Sequence, residues 1–268
     1  MNPELFWREE DGVRLGATVW RAGDGLRAVS SAMVGGGIGP ARWVLNAQVA
    51  GVYARMDPEA HLHELAAAYG LDGPGVGMLT AASVSRTFLR SDGGVHASAT
   101  VGLRVPTWAA APEDTADPEL APITAWRPGT VNIVVAVPVP LTDAALVNAV
   151  ITVTEAKTQA LLEAGYPGTG TASDAVCVTA PEGGDAEPFA GPRSVWGARV
   201  ARAVHAAVHA GAVDYTAMLD ARDAAERGTP APRDAELGIP EIRTPERGTL
   251  EDRAAGRSAP EPRTAEQR

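Results

Sequence analysis

Lys157 is the only lysine in this 268-residue chain; every other strongly basic side chain is arginine. Arginine serves wherever positive charge alone is needed. A compact ammonium that can lose its proton when desolvated is something arginine does not imitate. Lys157 also lies on the apolar stripe of Leu146, Ala149, Val150, Val153, Ala160, Leu161 and Ala164, whose helical spacing predicts burial. A buried ammonium needs a carboxylate or several acceptors beside it. Candidates follow in Pro167-Gly168-Thr169-Gly170-Thr171-Ala172-Ser173-Asp174, where three hydroxyls and one carboxylate are interleaved with glycine. Such a loop supplies donors, acceptors and a nucleophile, and its glycines let backbone amides turn towards a ligand. The alternatives are plain ones: Lys157 snorkels to water from the helix edge, and the loop is an ordinary connection.

The elements that must position these groups are legible around them. Thr142 and Asp143 form a helix start, Gly165 a stop, and Ala175 to Val178 a buried strand. Upstream, Asp11-Gly12 and Asp24-Gly25 divide residues 5 to 30 into a small antiparallel meander. A strand follows through Trp43 to Val49 with the polar Asn46 inside it, preceded by Gly35-Gly36-Gly37, where a backbone can approach a ligand closely. Asp57-Pro58-Glu59 opens a helix that Gly70 ends, with His61 and His63 on different sides of it. Asp92-Gly93-Gly94 joins a hairpin of Val84 to Leu89 and Val95 to Val101, carrying His96. The Pro- and acid-rich stretch from Pro106 to Pro128 reads as a long surface loop, a lid, before a strand from Ile133 to Val137. Helices are expected from about Val195 to Ala210 and from Val213 to Ala225. His205 and His209 sit on a solvated face of the first.

Hydrophobic residues make up 45% of the chain, enough for one sizeable core, while aromatics at 5% leave Ala and Val to fill it. A net charge of −10 argues against nucleic acid as partner. The lone Cys177 excludes a disulfide framework and a thiolate metal site, and no His, Cys and carboxylate set has ligand spacing, so no metal is expected. Without a spanning apolar run or a secretory leader, the expectation is a soluble, cytoplasmic protein away from membranes. The fold class expected is α+β: a single domain over 1–227 with a largely antiparallel or mixed sheet packed by helices, then a disordered Pro/Arg/Glu-rich tail over 228–268.

Taken together, several stretches resemble the adenosylcobinamide amidohydrolase family. They are Ser30-Ser31-Ala32 with Gly35-Gly36, Asn46, Gly75 to Ala82, Gly129-Thr130-Val131-Asn132, Thr154 to Thr158, Thr169 to Asp174, and Ala190-Gly191-Pro192 before Trp196-Gly197. Two departures stand out: Ala172-Ser173 replace the family's last Gly-Thr, and Thr100-Val101-Gly102 lacks its alanine and later asparagine. The resemblance implies hydrolysis of the aminopropanol amide of adenosylcobinamide to adenosylcobyric acid in corrinoid salvage, with the corrinoid as substrate and no cofactor required. Amide hydrolysis needs a nucleophile, a proton for the leaving amine and an oxyanion site. On that footing Thr169, Thr171 and Ser173 supply the nucleophile or oxyanion contacts, Asp174 or Glu155 the base, and Lys157 an activator or proton donor. Ser31, Gly35, Gly36, Asn46, Thr80, Thr130, Asn132 and Thr169 would bind substrate. Glu155 and Lys157 stand about 200° apart on one helix and cannot both face one ligand. The rival readings are a corrinoid-binding protein without hydrolysis and a self-processing hydrolase cut before Thr80, Thr130 or Thr171.

Overall fold

The computed structural model describes residues 1–51, 53–113 and 129–228; the rest of the expected lid and the expected tail lie outside them. The described chain is mixed α+β and forms one unit, Met1–Arg227. One sheet has the order β1-β2-β5-β6, with β1 Glu4–Glu10, β2 Val13–Arg21, β5 Trp43–Gln48 and β6 Val76–Thr80. The other has the order β4-β3-β10-β9-β8-β7, with β3 Leu26–Ser30, β4 Gly37–Pro40, β7 Thr87–Asp92, β8 Val95–Gly102, β9 Thr130–Ala136 and β10 Ala175–Pro181. Each sheet contains one parallel pair, β5 with β6 and β9 with β10, and its other pairs are antiparallel. A parallel pair needs a crossover. Helix α1 (Pro58–Ala68) provides it in the first sheet and α2 (Asp143–Glu163) in the second.

Period-two alternation along the strands sets the layers. On β5, Trp43, Leu45 and Ala47 face Leu62 and Leu65 of α1, while Val44 turns to the other sheet. On β9, Val131, Ile133 and Val135 face α2 and the long helix α3 (Val195–Gly228), while Val134 turns inward. The order is therefore helix, sheet, sheet, helices. The inter-sheet seam is apolar at one end, through Ala28, Val44, Val76, Met78, Val134 and Cys177. Burial there pushes the Cys177 thiol up to about 12. At the other end the seam is polar. Asn132 donates to Asn46 Oδ1 (2.8 Å) and to the Leu79 carbonyl (2.9 Å), and Asn46 donates to Thr100 (3.0 Å).

Two expectations are corrected. The meander ends at β2, because β3 crosses to the second sheet and pairs with β10 and β4. The two C-terminal helices are one, unbroken at Gly211. A side chain at that position would run into Val101 and Phe88, so glycine is there for close packing and not as a stop. On the partly solvated face, His205 Nε2 donates to the Glu163 carboxylate of α2 at 2.7 Å, and its ring stacks on His209. His61 is buried and His63 exposed.

Candidate functional site

Helix α2 begins where Thr142 Oγ1 accepts from the Ala145 amide at 3.1 Å. Its buried face carries Leu146, Ala149, Val153, Ala156, Lys157, Ala160 and Leu161. Lys157 is only 7% exposed and does not snorkel: Nζ donates to Asp174 Oδ2 at 2.5 Å. Gly165, at φ +85°, turns the chain out of the helix. The loop then wraps the ion pair so tightly that a Cβ on Gly170 would collide with the Asp174 carboxylate and Lys157 Nζ.

Four donors converge on Asp174. Oδ2 takes Lys157 Nζ and the Thr171 amide (3.1 Å), while Oδ1 takes Thr171 Oγ1 (2.5 Å) and the Val131 amide (2.8 Å). Thr171 Oγ1 is also 2.8 Å from the Gly129 carbonyl, which accepts from Ser173 Oγ at 3.2 Å. Ser173 Oγ and Thr130 Oγ1 form a second hydroxyl pair at 2.8 Å. A hydroxyl bonded to a carboxylate that a third group holds from its far side is the arrangement of nucleophile, base and orienting residue.

Across the Gly102–Thr130 pair from this cluster lies a cavity of about 590 Å³, whose walls include none of the cluster's side chains. Gln48, Ala50 and Gly51 after β5, Ala81 to Ser83 after β6, Gly102 and Arg104 after β8, and Tyr215, Met218 and Leu219 of α3 are among its walls. Gly102 pairs with Thr130 in the sheet, and Gly129 sits so close to the Gly102 carbonyl and the Arg104 amide that any side chain would clash. Arg86 and Asp214, both on the cavity wall, pair at 2.7 Å.

The structure gathers Lys157, Asp174, Thr171, Ser173 and Thr130 into one cluster. Asn46, Thr80 and Asn132 stand at the adjoining polar end of the seam, where Thr80 Oγ1 accepts from the Ala82 amide and Asn132 Oδ1 is buried without a partner among the described residues. Ser31 Oγ holds the Val176 amide, two residues past Asp174, and Thr169 Oγ1 holds the Ala109 amide. Glu155 is not part of it. Its side chain is exposed on the other side of α2, in a cleft with Gln159, Arg202 and His205. Gly35 and Gly36 are also elsewhere, in a groove of about 450 Å³ with Trp43 and Gly75 at the amino ends of β5 and β6. Five strand steps separate Trp43 from Gln48, roughly 16 Å at the usual rise. Glycine serves contact there too, since a Cβ on Gly35 would strike the Gly75 carbonyl and one on Gly75 the Trp43 ring. Sequence reasoning missed the Gly129 carbonyl as the anchor of two hydroxyls and the α3 wall of the cavity. Their signals are a backbone atom and a long-range contact. Among the described residues no group of three or more His, Cys, Asp or Glu has the geometry to hold a metal, and no helix is long and apolar enough to cross a membrane.

Among known proteins, the model of a family described as adenosylcobinamide amidohydrolase matches residues 4–220. A protein of Halobacterium salinarum named adenosylcobinamide amidohydrolase is 40% identical over 149 residues, covering 55% of this chain and 60% of that protein. One of Methanosarcina mazei with the same name is 31% identical over 195 residues, covering 69% of this chain and 90% of its own length.

Proposed function

The chain belongs to the adenosylcobinamide amidohydrolase family, and from that premise we propose that it hydrolyses the aminopropanol amide of adenosylcobinamide to release adenosylcobyric acid. The observation that carries the mechanism is the single carboxylate shared by Thr171 Oγ1 and Lys157 Nζ. Thr171 Oγ1 attacks the amide carbonyl carbon, and its proton passes to Asp174 Oδ1. Lys157, on Oδ2, holds that carboxylate in place. Breaking the C–N bond sends the proton on to the leaving amine, and water then cleaves the Thr171 ester to give the acid. The Ser173–Thr130 hydroxyl pair stands beside the reacting group as an oxyanion donor. The route uses side chains and water alone. A macrocycle with its upper ligand exceeds the cavity, so the ring rests at the mouth against Tyr215 and Met218 and the amide arm enters.

The test is incubation with adenosylcobinamide followed by mass spectrometry. Adenosylcobyric acid and aminopropanol are expected. Intact corrinoid that co-elutes with folded protein would leave a binding protein instead.

A further inference from the structure

Helix α2 carries a second apolar stripe, on its solvent side. Ala144, Val147, Ile151, Thr154, Thr158 and Leu162 follow one another at steps of three and four, within about 80° of the helix circumference. No charged residue interrupts them. Val147, Ile151 and Leu162 are each about half exposed. The two threonines bond within the chain: Thr154 Oγ1 donates to the Val150 carbonyl at 2.9 Å, and Thr158 Oγ1 to the Thr169 carbonyl at 3.2 Å. Beside the stripe stands Phe189, 60% exposed, at the Asn148 edge of the helix, where a side chain on Gly191 would touch both. Further along α2, Thr154, Glu155, Thr158, Gln159, Leu162 and Glu163 line a shallow groove of about 440 Å³. Contiguous exposed apolar faces of this kind mark interaction sites.

We propose that this face docks a second copy of the chain, with the two α2 helices antiparallel about a two-fold axis between Ile151 and Thr154. The stripe is self-complementary in that register. A parallel pair would set Leu162 against Leu162 and Ala144 against Ala144. The antiparallel pair sets Leu162 against Ala144, Val147 against Thr158 and Ile151 against Thr154, the larger side chain against the smaller at every layer. The polar edges match as well. Asn148 and Glu155 lie within about 20° of each other around the helix, so the two-fold brings each Asn148 beside the Glu155 of the other copy. Asn148 Oδ1 accepts from the Ala190 amide at 3.2 Å, which leaves its amide hydrogens to donate to that carboxylate. Phe189 arrives over the other copy's groove at Thr158 and Leu162. A strip about 32 Å long and one helix wide is small for a specific interface, so dissociation in the micromolar range is expected. The pairing does not depend on the proposed hydrolysis.

Analytical ultracentrifugation tests it: the chain should pass from monomer to dimer between about 1 and 100 μM. Ile151→Glu places a charge at the centre of the seam and should hold the chain monomeric throughout, with unchanged far-ultraviolet circular dichroism. Asn148→Asp keeps an acceptor for the Ala190 amide but opposes two carboxylates, and should weaken the dimer about tenfold; adding Glu155→Gln should restore it. Disulfide trapping reads the register, since Cys177 is buried and leaves introduced thiols alone at the surface. Val147→Cys and Thr158→Cys copies should cross-link when mixed and neither with itself, because identical positions stand about 17 Å apart. A chain still monomeric at the top of that concentration range would leave the face to some other partner and overturn the pair. So would an Ile151→Glu variant that dimerises, an Asn148→Asp loss that Glu155→Gln does not relieve, or Val147→Cys linked to itself.

Discussion

The two parallel crossovers, β5–α1–β6 and β9–α2–β10, are built alike and used in opposite senses. In the first, the carboxyl ends of the strands meet the cavity, as is usual for such units. In the second, the amino ends carry the Lys157–Asp174 cluster, with Thr130 paired to Gly102 of the cavity wall and Asp174 just before β10. The first unit therefore offers the segment that enters its helix, and the second the loop that leaves it. Their charges differ in the same way. Arg55 pairs with Asp57 and Glu64 in open water, whereas Lys157 and Asp174 are paired with side chains about nine-tenths buried. Exposed pairs contribute little, while removing one partner of a buried pair costs about 3–5 kcal/mol. Only the second unit has a charge the fold has to organise itself around.

The comparison breaks first at Thr171 and Asp174. Thr171→Ala and Asp174→Asn should each reduce turnover by about a thousandfold or more, measured as aminopropanol release, if the hydroxyl and carboxylate act as one. Wild-type rates in either folded variant would return the loop to the status of a connection. Lys157→Arg preserves charge but not shape, and kcat is expected to drop about a hundredfold because the planar guanidinium does not fit beneath Gly170. Gly170→Ala sharpens the point from the backbone side. Its methyl group meets the ion pair, and a loss of about 1–3 kcal/mol in denaturant unfolding is expected, along with slower turnover. On the other unit, Arg55→Ala should leave kcat unchanged and move the melting temperature little, and a large fall would show that the exposed cluster carries more than its setting suggests. Smallest of all, EDTA should leave turnover where it was; loss restored by one added metal would overturn the route through side chains alone.

Much of the second unit was legible because its signals are local. Thr142, the apolar stripe and Gly165 define α2, and burial of Lys157 demands a partner, which Asp174 provides. Glu155 was kept as a candidate base although helical geometry already set it about 200° from Lys157, and the structure leaves it outside the cluster. What could not be read depended on distant contacts. Asp24-Gly25 announces a turn but not that the next strand joins another sheet. Gly211 looks like a stop until Val101 is seen against it. Gly35 and Gly36 were grouped with the site because glycine suits both ligand approach and close packing, and here they lie at the far end of the strands. His61 was legible only as standing on a different side of its helix from His63, since Tyr53 and Glu10 reach it only through the fold.

The single thiol in the seam offers a use beyond packing. Cys177 is wholly enclosed between the sheets and stays protonated at ordinary pH. It therefore reacts with an alkylating reagent only in molecules whose layers have parted. With no second cysteine to confuse the count, native-state alkylation becomes a stopwatch for that event. Its rate, divided by that of the unfolded chain, gives the equilibrium for separating the two sheets. A corrinoid seated across both would slow the clock in proportion to its occupancy.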